Sequence, residues 1–228
     1  MKKYLVGVAC LLFLISCKDE VIDPVKMYEQ YYRVDTGYIY YYRVDSVRYS
    51  NFDPDNVDTV VNYLRVEFTE PYTDQAGETA YKVKRSAGKS EHGPWTLMNV
   101  WSVKKLDNAV HFTAENVKYV KMVFPVKEGG TWNGNAYNTG GEAIYTYANV
   151  HKPKAVGDLY FDSTATVVEL ADSNLIFQDM KSAVYATGIG LVHSERKEME
   201  TQPDPGNPDV YSRDGYITRQ SLLRYELK

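Results

Sequence analysis

Histidine, carboxylate and aromatic side chains are the groups through which this chain could do chemistry. The four histidines, His92, His111, His151 and His193, are scattered, with no H-E-x-x-H and no i, i+4 pair. Their spacing carries no zinc signature, and they read as surface or sheet-edge residues. Asp162, Glu169 and Asp172 could pair in space for glycoside hydrolysis, a chemistry set by the separation of two carboxyl groups. Acidic residues on solvated strands are the commoner case. No G-x-S-x-G is present, so nucleophilic catalysis has no identifiable player. Asp53-Pro54-Asp55-Asn56-Val57-Asp58 offers oxygens to calcium but lacks the glycine and distal glutamate of an EF-hand loop; it reads as a turn. Gly188-Ile189-Gly190 lacks the third glycine and the following helix of a nucleotide-binding turn. The expectation is no catalytic residue, no metal ligand and no cofactor. Aromatic residues are what remain. Of the 21 tyrosines and 3 tryptophans, Trp95, Trp101, Trp132, Tyr40 and Tyr42 are the candidates for stacking on a ligand. The plainer reading is that such amphipathic rings pack within a sheet.

The amino terminus gives an address. Lys2 and Lys3 precede an apolar run from Leu5 to Ile15. That run is shorter than the roughly 20 residues needed to span a bilayer and fits the apolar centre of a secretory signal peptide. It ends in Leu14-Ile15-Ser16-Cys17, which resembles a lipobox, the processing site of bacterial lipoproteins. The resemblance implies removal of residues 1–16, acylation of Cys17 and attachment to the outer membrane through that lipid anchor. Residues 17–27 then form the lipidated cysteine and a charged tether. Lys18-Asp19-Glu20 is similar to the export signal of surface lipoproteins in the Bacteroidota, which favours the cell surface over the periplasmic leaflet; a solvated tether explains the cluster equally well. Processing removes two lysines and no acidic residue, so the formal charge falls from −4 to −6. Such a chain has no basic footprint for nucleic acid. Cys10 leaves with the signal peptide, so the mature chain has no second cysteine for a disulfide.

Residues 28–228 read as one all-β, mainly antiparallel domain, folded as a curved sheet or a partly open barrel. Tyr38 to Tyr49 carries aromatic and β-branched residues on both parities, the pattern of a long strand with both faces covered. Leu64, Val66 and Phe68 alternate with charged and polar neighbours, as do Tyr81 and Val83, which marks half-buried strands. Trp95, Leu97, Asn99, Trp101 and Val103 share a parity and read as one face of the next strand. Further strands are expected around His111–Thr113, Tyr119–Phe124, Glu142–Val150, Thr166–Leu170, Leu175–Ala186 and Leu191–Thr201, with a last one through Leu223, Tyr225 and Leu227. Gly188 and Gly190 mark a bend. Pro203, Pro205, Gly206 and Pro208 make residues 202–214 an exposed loop.

Tyr32, Val34, Gly37 and Tyr40 match Phe124, Val126, Gly129 and Trp132 at a constant offset. Two related halves are one reading of this match, and coincidence between two strand–turn–strand units is the other. The collinear stretches Tyr32 to Ser46, Pro94-Trp95 with Val100-Trp101, Phe124 to Asn138, Leu159 to Thr164 and Tyr185 to Val192 resemble a widespread group of uncharacterised Bacteroidota outer-membrane lipoproteins. The chain departs from that group at Arg33, where proline is usual. The resemblance implies a β-rich extracytoplasmic domain and brings no activity with it.

The leading expectation is a lipid-anchored, non-catalytic binding or assembly module with an envelope protein partner. The alternative is a carrier of an apolar ligand, or a carbohydrate binder using sheet aromatics. A hydrolase whose site forms only in three dimensions is the third reading. An interior cavity favours the carrier, an exposed aromatic row the carbohydrate binder, a packed interior with a bare apolar patch the assembly module, and converging carboxylates the enzyme.

Overall fold

The computed structural model describes residues 26–51, 57–204 and 207–228. The signal peptide, Cys17, most of the tether and the 53–56 part of the acidic turn lie outside the described residues. Among the described residues a single 3-10 turn, Glu29–Tyr31, precedes twelve strands. In chain order they are β1 (Tyr38–Tyr49), β2 (Asp58–Thr73), β3 (Thr79–Gly88), β4 (Thr96–Lys105), β5 (Ala109–Ala114) and β6 (Val117–Val123). The second set is β7 (Thr131–Asn133), β8 (Ile144–Val156), β9 (Leu159–Ser173), β10 (Phe177–Ala186), β11 (Gly190–Asp204) and β12 (Asn207–Leu227).

All twelve join one antiparallel sheet in the order β6-β5-β4-β3-β2-β1-β12-β11-β10-β9-β8-β7. The sheet curls into a nearly closed barrel with one unsealed seam. Two six-stranded meanders are visible in that order, β1–β6 and β7–β12, each opening with the aromatic-x-Val-x-x-Gly-x-x-aromatic segment. Advancing each strand by six maps the β1–β12 junction onto the β7–β6 junction. The first is a long ladder from Tyr38 opposite Leu227 to Tyr49 opposite Gly215. The second is the seam.

The reason for the difference is local. Where β1 runs on for 12 residues, β7 stops after Asn133. There Asn133 and Asn138 turn the chain with side-chain bonds to its own backbone, Asn133 Oδ1 accepting from Asn135 N–H at 2.9 Å and Asn138 Oδ1 from Gly140 N–H at 2.8 Å, and Asn135 Oδ1 accepts from Asn138 Nδ2 at 3.0 Å. The free edge of β6 is satisfied instead by single bonds from across the seam. Val120 N–H donates to Gly134 C=O at 2.8 Å, Trp132 Nε1 to Val120 C=O at 2.8 Å, and Asn138 Nδ2 to Lys118 C=O at 2.7 Å. The Tyr147 hydroxyl donates to Val123 C=O at 2.7 Å and accepts from Val123 N–H at 3.1 Å. An edge covered in this way is a poor template for another strand. Replacing Tyr147 with phenylalanine leaves both Val123 groups unpaired and should cost about 1–3 kcal/mol. Hydrogen exchange at the Val123 amide should accelerate by the corresponding factor; unchanged protection would show that the seam does not depend on this hydroxyl.

The core is continuous through the barrel, with Tyr40, Leu64, Val103, Val110, Val167 and Leu222 among its buried members. In β1 both faces are indeed covered. Tyr40 and Tyr42 join the core, while Tyr41 on the other face lies under Trp95, with ring centroids 5.6 Å apart, and under the Arg224 guanidinium at 3.7 Å. Residues 89–95, the polar loop after β3, supply that outer cover.

Two expectations change. Leu97 does not share a face with Trp101 and Val103: Arg85 pairs with Asn99 but Ser86 with Leu97, so Met98 is an extra residue, the parity flips, and Leu97 is 57% exposed. Residues 202–204 and 207–214 are not a loop but belong to β11 and β12, with Pro203 opposite Tyr211; residues 205–206 lie outside the described residues. Proline is tolerated because the β10 ladder ends at Glu200, with one further bond from Thr201 N–H to Ile176 C=O at 2.7 Å. Beyond that point β11 has a free edge that needs no donor.

Candidate functional site

Strand alternation turns one face of nearly every strand inward, and the inward side chains do not fill the barrel. A cavity of about 750 Å³ remains, walled by Val44 of β1, Leu64 of β2, Arg85 of β3, Trp101 of β4, Phe112 of β5 and Tyr185 of β10, among others. Its size falls within the roughly 300–1,000 Å³ of small-molecule sites. A narrower compartment of about 120 Å³ continues from it past Tyr40, Phe68 and Val83. Arg85, Trp101, Phe112 and Leu191 border both spaces, so the two form one lumen with a constriction.

One end of the lumen has a floor. Residues 27–34 cross it and are pinned to the hairpins around it. Gly188 N–H donates to Gln30 C=O at 2.9 Å and Val126 N–H to Met27 C=O at 3.2 Å, while Lys105 Nζ donates to Glu29 C=O at 2.9 Å. Tyr31 is fully buried, its hydroxyl 2.7 Å from both Ser163 Oγ and His151 Nδ1. Tyr32 lies against Tyr185, with centroids 5.7 Å apart. Burial pushes the phenols of Tyr32, Tyr42 and Tyr185 well above the usual range, so all three remain neutral. Met27, placed in the tether by sequence, already packs against the core. The wide chamber reaches the opposite end, where Ala114 closes β5 and Met98, 56% exposed, stands near the start of β4.

The lumen wall also carries charge. Glu169 of β9 is 6% exposed and holds two lysines: Lys121 Nζ donates to Oε1 at 2.7 Å, and Lys181 Nζ lies 2.8 Å from Oε2, close in charge but not aligned as a hydrogen bond. Burial alone would push the Glu169 carboxyl up; the two ammonium groups outweigh it and hold the carboxyl below its ordinary value. Burial pulls Lys121 down from the usual lysine range, against the raising effect of Glu169. Arg85 stands elsewhere on the wall, its guanidinium 3.7 Å from the Trp101 ring centroid.

Of the aromatic candidates, Tyr40, Tyr42 and Trp101 line the lumen together. Trp95 is on the outer surface over Tyr41, and Trp132 is in the seam, its ring 4.5 Å from that of Tyr147. Cys17 lies outside the described residues. The carboxylates weighed for hydrolysis do not converge: Glu169 faces inward and is engaged by lysines, while Asp162 and Asp172 are exposed, Asp172 opposite Asp179 beyond a bulge at Glu169. His193, 3.0 Å from Ser221 Oγ, and His111, its ring tilted against Tyr137 with centroids 4.8 Å apart, stand apart from each other, and burial lowers both imidazoles. Among the described residues no three His, Cys, Asp or Glu side chains gather as a metal would require.

No family model matches the chain, and no curated protein matches it. The geometry of the lumen therefore carries the functional argument. Sequence reasoning missed Arg85, Lys121 and the ion-paired role of Glu169. A signal for Arg85 was present, since it occupies the inward parity set by Tyr81 and Val83. A cation at a core position is a marked break in an alternating strand.

Proposed function

We propose that this chain is a lipid-anchored, non-catalytic envelope protein that holds a small, partly apolar molecule in the lumen of its barrel. The observation that carries the reading is the cavity of about 750 Å³, walled by side chains from both meanders and floored by the segment at residues 27–34. A barrel built only for stability closes its interior with side chains; here Ala87, Ala114 and Ala183 occupy lumen-facing positions where larger residues would fill the space. The aromatic walls supply apolar contact, and the few polar groups supply orientation. The lipobox-like segment supports the address at the outer membrane. The chain enters the barrel at its floor, so the wide chamber faces away from the tether.

The reading is tested with N-phenyl-1-naphthylamine, a neutral apolar fluorophore, added to the full chain carrying Cys17→Ser. Saturable binding of one probe per chain is expected. Ala87 and Ala114 are half-buried and face open space, so Ala87→Phe with Ala114→Phe occupies the chamber without crowding the core. The double substitution should weaken probe binding by about tenfold or more, the loss expected when a few kcal/mol of apolar burial is denied. Binding that does not saturate, or that survives the filled lumen unchanged in a folded protein, overturns the reading.

A further inference from the structure

The lumen contains polar groups that the fold itself does not use. Arg85 is the first. Its hydrogen-bond partner is the Asn99 amide oxygen at a long 3.4 Å, its guanidinium carbon lies 3.7 Å from the Trp101 ring centroid, and no carboxylate among the described residues pairs with it. The carboxylate whose field reaches it, Glu115, accepts the Trp101 indole N–H at 3.2 Å instead. Burial pulls the guanidinium down to about 10, against the raising effect of Tyr42 and Glu115. Tyr40 is the second. Its side chain is 3% exposed, and its hydroxyl has no partner among the described residues. The neighbouring Tyr42 hydroxyl differs, donating to Leu191 C=O at 3.0 Å. An orphaned buried hydroxyl costs about 1–3 kcal/mol, so its retention calls for a reason outside the apolar core. Arg85 and Tyr40 wall the same narrow compartment. The other arginine there, Arg33, is already engaged by Asp35 and by Gly188 C=O.

The balance of charge around the lumen points the same way. Glu195 is paired with Arg219, and Arg196 with Asp179 and Glu198. Lys121 and Lys181 share the single carboxylate of Glu169, the extra cation offset by the second carboxylate on Arg196, which leaves Arg85 as the lumen cation without a carboxylate partner among the described residues. In a chain of net charge −4 the narrow compartment is therefore positive at Arg85, since Arg33 beside it is paired with Asp35. In a site of low dielectric such a charge attracts anions and rejects cations strongly.

We propose that the ligand is an amphipathic anion: an acid group held in the narrow compartment by the Arg85 guanidinium and the Tyr40 hydroxyl, with an apolar body lying along Trp101 and Phe112 into the wide chamber. This rests on the lumen reading above and goes further by naming the class of ligand. The guanidinium supplies charge-assisted bonds to an acid oxygen, the hydroxyl donates a further one, and both groups gain a partner they lack in the free protein. A neutral amphiphile of the same length satisfies neither, and a cationic one meets repulsion.

The test uses octanoate, 1-octanol and octylammonium as displacers of N-phenyl-1-naphthylamine from the full chain carrying Cys17→Ser. Octanoate should displace at about tenfold lower concentration than 1-octanol, the ratio expected for one charge-assisted interaction, and octylammonium should be the weakest. Arg85→Met should collapse the octanoate-to-octanol ratio to within about twofold, Arg85→Lys should restore part of it, and Tyr40→Phe should reduce it about threefold. Arg85→Lys keeps the charge, so the ratio can still be read if the methionine variant does not fold. Equal displacement by all three compounds, or a ratio unaffected by Arg85→Met, overturns the anion assignment while saturable probe binding leaves the lumen reading standing. Failure of the probe to bind overturns both.

Discussion

Glu169→Gln is expected to destabilise the protein by about 3 kcal/mol near neutral pH, as when one partner of a buried ion pair is removed. The carboxylate is 3% exposed and Lys121 is 17% exposed, whereas Lys181 reaches solvent at 43%. Lys181 can therefore be hydrated when its partner is lost, and Lys121 is left as the uncompensated buried charge. The pH dependence follows from the directions of the two shifts. The Glu169 carboxyl is held below its ordinary value, so its stabilising contribution is complete above the unfolded value of about 4.3 and disappears as pH falls through the lower folded value. Wild type should thus approach Glu169→Gln in stability on acidification. The two should also converge at alkaline pH, where Lys121, already pulled down by burial, sheds its proton in the variant. Denaturant titrations of both chains between acid and alkaline pH measure this directly. Removing both charges with Glu169→Leu and Lys121→Leu should return stability to within about 1 kcal/mol of wild type. A double variant as unstable as Glu169→Gln would show that the triad is held by packing and not by charge.

Gly215→Ala is expected to cost about 3 kcal/mol or more, combining a strained backbone with a steric collision. Gly215 lies in β12, opposite Tyr49 on one side and Met199 on the other, with φ at 139°. A methyl group there would overlap the Glu198 carbonyl oxygen and press on the Met199 Cα. Both obstacles are backbone, so no rotamer change relieves them. The position matters to the architecture because β12 is the strand that joins the two meanders by a full ladder, the other junction being the seam. For a domain of this size such a loss lowers Tm by roughly 10 °C. A Tm within 2–3 °C of wild type, about 1 kcal/mol on the same scale, would mean that β11 and β12 can separate at Gly215 without loss of the barrel.

Much of the fold was legible because strand periodicity is local. β1, β2 and β3 follow their alternating residues, and the glycine bend at residues 188–190 separates β10 from β11 as Gly188 and Gly190 suggested. The repeated segment at Tyr32 and Phe124 foreshadows two equivalent meanders. What the sequence did not disclose depends on non-local pairing. The bulge at Met98 shifts Leu97 to the outer face, and nothing in the residues themselves marks it. Proline at residue 203 reads as a loop former unless it is known that β10 stops short of it. The closure through β1 and β12 joins residues nearly 190 positions apart, from Tyr38 to Leu227. The lumen is legible only in part. Tyr40, Tyr42 and Trp101 stood out as aromatics, but Trp95 and Trp132 share their chemistry and lie elsewhere, one outside the barrel and one in the seam. Glu169 was visible as a carboxylate, while its lysines come from strands β6 and β10, far apart in sequence.

Occupancy of the lumen is the central claim, and quenching of Trp101 reads it most directly. In the full chain carrying Cys17→Ser, Trp95→Phe and Trp132→Phe leave Trp101 as the remaining tryptophan, and its ring borders both compartments. Titration with 8-bromooctanoate, whose bromine quenches only on close approach, should reduce its fluorescence along a saturating curve. The same titration after Ala87→Phe and Ala114→Phe should show only weak, linear quenching. Linear quenching of equal slope in both chains would place the compound outside the barrel and contradict a ligand-binding lumen.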